Sequence, residues 1–459
     1  MAARRRHARR LLPGLFVSTA LVLLAACTGT PSSDRPTAPT SSTSPSASPT
    51  GPVTLRFGVY GDAHTLSAYR QLAAAFTAAH PQVTIRLETA PDSAAALDRL
   101  QLEFTKGRAP DVFLMDHDDV PQLVADDRVQ PVDELLENRG VQFGDTFERL
   151  GLESMGSDSS LQCMPDEVSP YVVFYNRQLL TPRMRADPRH PQADVLPPEA
   201  GWTWEAFTSA ARAASTGRVR GVYLPPRLTT LVPLVRSDGS DLMDDPRKPT
   251  TLTFGDGSAR ASLEKVLALA RDPSASPTPA MLARQDALTR FENGSLAMMI
   301  GTRALVPQLR QHPALRFDVL PLPRLGSAQT VADVSGYCIA KASEHVPQAA
   351  DFIAFASQDR GASIMAESGG IVPANLAVLH SDAFTQPGSF PVNAAVFPES
   401  LRHADTMPFA TAWPQVVAQT QPYLDRLFTA RDPDLDTLLP HIDELSASLL
   451  APPSASPSP

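Results

Sequence analysis

Carboxylates dominate the residues that could do chemistry. Asp116-His117-Asp118-Asp119 packs three acids and an imidazole into four positions, and Asp62-Ala63-His64 pairs an acid with an imidazole upstream. Glu167, directly after Asp166, is a further acid. Such groups hydrogen-bond hydroxyl-bearing molecules. A pair such as Asp118 and Glu167 could also act as the two carboxyl groups of a glycosidase. His117 among acids raises metal binding, but no partner stands at metal-ligand spacing, so no metal is expected. The chain has no Gly-x-Ser-x-Gly, no His-Glu-x-x-His, no phosphate-binding loop and no dinucleotide glycine pattern. No catalytic residue and no cofactor is therefore expected.

The elements that must position these groups read as α/β. Val53, Leu55, Phe57 and Val59 alternate with less apolar residues, the period of a strand. After a turn at 61–64, Leu66, Tyr69, Leu72, Phe76 and Ala79 recur at helical spacing, with Pro81 just past the end. Val83, Ile85 and Leu87 give a second strand. Asp92 or Ser93 can cap a helix carrying Leu97, Leu100 and Phe104. The apolar run 112–115 reads as a strand covered on both faces. A β-α-β-α-β order implies a parallel sheet, and ligands sit beyond the carboxyl ends of its strands. Residues 61–65 and 116–119 fall there, which is why Asp62, His64, Asp116 and Asp118 are candidate binding residues.

Composition bounds the rest. The chain has 459 residues, 43% of them hydrophobic, and a net charge of −9. Five arginines and no acid precede residue 27, so without that segment the charge falls to −14. Nucleic acid and anionic lipid surfaces are poor direct partners for such a chain. The opening arginines lead into an apolar run, 11–26, that is short for a membrane span. Leu24-Ala25-Ala26-Cys27 resembles a bacterial lipobox. That resemblance implies a leader over 1–26 and a lipid on Cys27 as the membrane anchor. Residues 28–52 are mostly Ser, Thr, Pro, Ala and Gly, a composition expected to be disordered, and 451–459 repeat it.

Six stretches together resemble the family 1 extracellular solute-binding proteins of ABC importers. They are Gly107-Arg-Ala-Pro-Asp-Val-Phe-Leu-Met-Asp116 with the following LVADDRVQPVDEL, Pro165 to Tyr175-Asn176, Gly201-Trp-Thr-Trp-Glu-Ala-Phe207, Phe291-Glu-Asn-Gly-Ser-Leu-Ala-Met-Met-Ile-Gly301, Val334 to Ala340, and Gly369-Gly-Ile-Val-Pro-Ala374. The resemblance covers most of 53–450. It implies a two-lobed type II binding fold, each lobe a mostly parallel sheet flanked by helices. The expected division is 53–163 plus 336–385 for the first lobe and 164–335 plus 386–450 for the second. Chain crossings are expected near 163–169 and 333–338, with a third inside 375–405.

The same resemblance assigns roles. Asp118 matches a ligand-contacting acid, Glu167 lies on the first crossing, and Tyr337 on the second could line the cleft. Trp413 matches a late tryptophan that stacks on sugar, the apolar face of a ring against the CH face of a pyranose. Where sugar binders of the family often carry another stacking tryptophan, this chain has Arg303, whose guanidinium suits hydroxyls but also carboxylate or phosphate. Cys163 and Cys338 both fall on crossings, so a disulfide between them is implied; two buried thiols are the alternative. The function implied is capture of a small polar solute, a sugar or oligosaccharide foremost, and delivery to permease subunits. The protein would be a monomer held by lipid at the outer face of the cytoplasmic membrane. A sensor or adhesin uncoupled from transport, or a secreted glycoside-acting enzyme, are the alternatives.

Overall fold

A computed structural model describes residues 51–180 and 202–451. The leader, Cys27, the Ser/Thr/Pro stretch up to residue 50 and the tail from residue 452 lie outside the described residues. The first five elements follow the expected order: β1 (Val53–Tyr60), α1 (Ala63–Ala79), β2 (Val83–Ala90), α2 (Ser93–Thr105) and β3 (Val112–Asp116). Every second residue of β1 from Val53 is buried. α1 begins earlier than the apolar spacing suggests, because the Asp62 carboxylate caps it by accepting the Thr65 N–H at 2.8 Å. Its inward face is Ala68, Tyr69, Leu72, Ala73 and Phe76. Asp92 caps α2 in the same way.

β1 lies between β2 and β3, parallel to both. The short β4 (Val129–Gln130) and a small hairpin, β5 (Gly156–Ser157) with β6 (Ser160–Leu161), follow. β7 (Cys163–Pro170) then leads directly into β8 (Val172–Asn176). α3 (Trp204–Ala214), capped by Thr203, precedes β9 (Arg220–Tyr223), α4 (Leu228–Ser237) and α5 (Gly257–Ala270). β10 (Leu296–Gly301), β11 (Phe317–Leu320) and the long β12 (Thr330–Ala340) come next. α6 (Val346–Ser357), α7 (Asp359–Glu367), α8 (Val396–Leu401), β13 (Ala404–Asp405), α9 (Trp413–Thr429) and α10 (Leu435–Leu450) complete the larger elements.

Two main sheets result. The larger has the order β13-β12-β3-β1-β2, with β4 and β7 also paired to β12. The smaller has the order β11-β8-β10-β9. β8 is antiparallel to both neighbours, and β10 is parallel to β9. The antiparallel ribbon β7–β12 carries the chain between the sheets. At one end, residue 171 of the short link into β8 donates its N–H to Val331 O at 2.9 Å. At the other, Cys338 sits opposite Cys163, and the two form a disulfide with a Cα–Cα distance of 4.4 Å. Residues 372–374 run antiparallel along β7 as well, just ahead of the stretch expected to hold the third crossing. Among the described residues no helix is long and apolar enough to cross a membrane.

Candidate functional site

The site forms where the ribbon leaves the larger sheet. Asp116 on β3 pairs in register with Ser335 on β12, and Ser335 pairs with Glu167 on β7. Three adjacent strands therefore bring Asp116, Ser335 and Glu167 into one row. The Glu167 carboxylate accepts Ser169 Oγ at 2.9 Å and Ser335 Oγ at 3.4 Å. The Tyr60 hydroxyl, at the end of β1, donates to Asp116. Asp333 is the one exposed residue of β12. Around it stand Tyr171, Asp116, Asp118 and Arg227, the residue that precedes α4.

A β-bulge sets this geometry. Ser335 opposes Glu167 and Gly336 opposes Pro165, so Asp166 has no partner across the ribbon. The bulge turns Asp166 into the core, where Tyr337 donates to it at 2.7 Å and Tyr69 at 3.1 Å. It leaves Glu167 among the site groups. Gly336 is needed at this point because a Cβ would lie 2.8 Å from the Met164 carbonyl oxygen.

Enclosure by protein and mutual repulsion raise these carboxyl groups. Glu167 is pushed up to about 8 by burial, with Asp166, Asp116 and Asp333 adding to the shift against Ser169. Asp333 reaches solvent yet is pushed up to about 7, chiefly by the protein packed around its carboxyl group, with Asp116 and Asp118 raising it and Tyr171 and Arg227 lowering it. Asp119 rises to about 6, again through burial and then Asp116 and Asp118. Asp116 is also raised by burial, against the hydrogen bonds of Tyr60 and Ser93. At neutral pH the site thus mixes carboxylates with protonated carboxyl groups, which accept and donate hydrogen bonds respectively. Among the described residues no group of three His, Cys, Asp or Glu side chains is arranged to hold a metal ion.

Two buried nitrogen-bearing rings lie on the 117–119 turn and on the helix packed against it. His117 is 4% exposed, its Nδ1 lies 3.0 Å from Asp118 Oδ1, and its Nε2 has no partner. Its ring is 5.4 Å from that of Phe409, just ahead of α9, and α9 packs on the 117–119 turn. Trp413, the first residue of α9, is fully buried with its Nε1 unpartnered.

The structure thus gathers Asp116, Asp118 and Glu167 and leaves the other candidates elsewhere. Asp62 uses its carboxylate as the α1 cap, and His64 stands exposed in the first turn of that helix rather than in a loop. Tyr337 does not line the cleft; it is fully buried, edge-on to Phe57, with its hydroxyl on Asp166. Arg303 is sealed in the core, 4.0 Å from the Phe384 ring centroid, and donates to Phe384 O at 2.6 Å. It offers no guanidinium to a solute because residues some eighty positions downstream fold over it. Trp413 packs in the second apolar core and presents no open ring face. Sequence reasoning missed Asp333, Tyr171, Tyr60, Asp119 and Arg227. A lone acid in the β-rich run 330–340 was a usable signal for Asp333; Arg227 had none.

Two sheets joined by crossing strands, with a polar site at the crossing, define a two-lobed solute-binding fold. The chain belongs to the bacterial extracellular solute-binding protein family, whose model matches residues 71–392. Similar solved structures agree on the fold. An ABC substrate-binding protein of Listeria monocytogenes in complex with cycloalternan aligns with a TM-score of 0.75 at 18% identity, covering 86% of this chain and 98% of that one. The sugar-binding protein MalE of Xanthomonas citri gives 0.73 at 17% identity, covering 86% and 97%. The GacH receptor of Streptomyces glaucescens, solved unliganded and with acarbose, gives 0.72 at 17% identity, covering 87% and 98%. No curated protein sequence matches the chain.

Proposed function

We propose that this protein is the substrate-binding component of an ABC importer and that it takes a sugar or oligosaccharide between its lobes. One observation carries the reading. Asp116, Glu167 and Asp333, with the Tyr60 and Tyr171 hydroxyls, converge at the strand crossing between two separately organised sheets. Closely placed acceptors and donors suit a molecule rich in hydroxyls, each of which both donates and accepts. Hinge motion about the β7–β12 ribbon would close the lobes on it, and a solute shifts that equilibrium only by its preference for the closed form. The lobes we assign follow the two sheets, with the chain passing between them at the ends of the β7–β12 ribbon near residues 171 and 330. The named ligands of the structural neighbours, cycloalternan and acarbose, support a carbohydrate. The same reading includes a lipid on Cys27, a monomer at the outer membrane face, delivery to a permease and no catalysis.

The test is isothermal titration of the full-length chain in detergent against mono- and oligosaccharides. Saturable binding, lost when Asp333 and Glu167 are both made amides, is the expected result. Binding that survives that double change would place the site elsewhere, and turnover of a bound glycoside would make the protein an enzyme.

A further inference from the structure

A cavity of about 310 Å³ shares no lining residue with the acids of the cleft. That volume is within the range of small-molecule sites. One wall is the link from β11 into β12, with Arg324 and Gln329. The other is the end of α8 and the two residues after it, with Glu399, Ser400, Arg402 and His403. The walls meet where the chain passes between the sheets. There the Thr330 N–H donates to His403 O at 3.0 Å, and Thr330 pairs with Ala404 at the start of the β12–β13 ladder. Each wall is fixed through its backbone. Arg324 donates its N–H to Trp202 O and accepts from the Trp204 N–H, both at 2.8 Å, and the His403 N–H donates to Ser400 O at 3.1 Å.

The cations of this cavity outnumber its acid. Arg324 is half-buried, and Arg402 and His403 are exposed. Among the described residues none of the three forms an ion pair, although Glu399 lines the same cavity. Ser400 is a second and independent pointer to a ligand: it is 8% exposed, and its Oγ has no partner. Buried polar atoms in native proteins are normally satisfied. A water would satisfy that hydroxyl and leave both guanidiniums unmatched. An anion with several oxygens meets all three. A carboxylate brings two oxygens and one charge, whereas a phosphate group brings three acceptor oxygens and about −1.5 to −2 charge at neutral pH. Arginine also forks onto phosphate with two parallel hydrogen bonds.

We propose that this cavity binds a phosphate group, as the free ion or on a small monoester, through Arg324, Arg402 and the Ser400 hydroxyl with His403 beside them. The site is separate from the solute cleft and does not depend on the solute-binding reading. A ligand there ties the link into β12 to the end of α8, at the point where the chain passes from the smaller sheet into the crossing ribbon.

The test is calorimetric titration of the full-length protein in detergent at neutral pH with glycerol 3-phosphate and with inorganic phosphate. Glycerol, and sodium chloride at matched ionic strength, are the controls. Saturable binding of a phosphate probe, with a melting temperature that rises with its concentration, is expected; the controls should give neither. Arg402→Gln and Arg324→Gln should each weaken binding at least about tenfold. Arg402 is exposed and without an ion pair among the described residues, so its variant should melt within a few degrees of the wild type when no ligand is present. Ser400→Ala removes an unpartnered buried hydroxyl, so without ligand it should melt no lower than the wild type, yet it should bind about threefold or more weakly. Tighter binding of glycerol 3-phosphate marks a monoester as the ligand and equal or tighter binding of inorganic phosphate marks the free ion; both uphold the site. Silence from both phosphate probes, a response equalled by chloride, or binding that survives any of the three changes overturns it.

Discussion

Tyr337 donates its hydroxyl to Asp166 across 2.7 Å, beneath the row of groups that faces the cleft. The two lie 171 positions apart in the chain and meet because the bulge in β7 sends Asp166 inward. Burial still lifts Asp166 to about 6, even with Tyr337 and Tyr69 both donating to it. The pair thus supports the hinge and makes no contact expected of a ligand residue. Tyr337→Phe removes one donor from a buried carboxyl group and should cost about 1–3 kcal/mol in denaturant unfolding. Solute affinity should change by less than about twofold. A large affinity loss without a loss of stability would return Tyr337 to the cleft.

Glu167 governs how stability responds to pH. Its folded-state value of about 8 lies above the ordinary 4.5, so between those limits the folded protein holds a proton that the unfolded chain has released. Stability is then greatest on the acid side of this window and falls as pH rises through it. Asp333, at about 7, acts in the same direction. Glu167→Gln removes its share of that slope. The variant should melt about 2 °C or more above the wild type near pH 8 and converge with it near pH 5. Melting curves across that range check the sign; a variant less stable at the alkaline end would show that the Glu167 charge stabilises the fold.

Much of the first lobe was legible because local pattern decided it. Period two in 53–59, helical spacing in 66–79 and a continuous apolar run in 112–115 need no distant partner to be read. Asp116 and Asp118 followed, since a parallel sheet fixes where its ligand loops lie. Glu167 was legible only through resemblance. Arg303, Tyr337 and Trp413 were misplaced for a different reason. Their surroundings are set by tertiary contacts: Phe384 and Phe397 close over Arg303, and the turn of Asp166 draws Tyr337 to the core. Spacing reports a residue's own strand or helix and says nothing of what later segments cover. Asp333 was missed because its exposure depends on the crossing ribbon rather than on the pattern of β12 alone.

Arg303 should be dispensable for binding. Its Nε and Nη1 have no partner, and burial beside Arg310 lowers it to about 9. Contacts with two aromatic rings and one carbonyl offset part of that desolvation. Arg303→Met keeps the apolar volume and removes the buried charge, so its stability should fall within about 1 kcal/mol of the wild type or exceed it. Affinity for the solute should be unchanged, measured by the same calorimetry. A tenfold loss at unchanged stability would mean that the guanidinium reaches the cleft in another conformation.

The Cys163–Cys338 bridge joins two strands whose cysteines are 175 positions apart. Closing so long a segment restricts the unfolded chain far more than the folded one, and chain-entropy arguments place the gain at up to about 5 kcal/mol. The bridge also holds the end of the ribbon opposite the link to the second sheet. Cys163 is four residues from Glu167, about 13 Å along an extended strand, so breaking it should leave the acids of the cleft in place. The double change Cys163→Ala and Cys338→Ala should therefore lower unfolding stability by about 2–5 kcal/mol while solute affinity stays within about threefold. Guanidinium unfolding and titration of the same preparation test both halves. If affinity collapses with stability only modestly reduced, the bridge sets the geometry of the crossing strands and does more than restrain the unfolded chain.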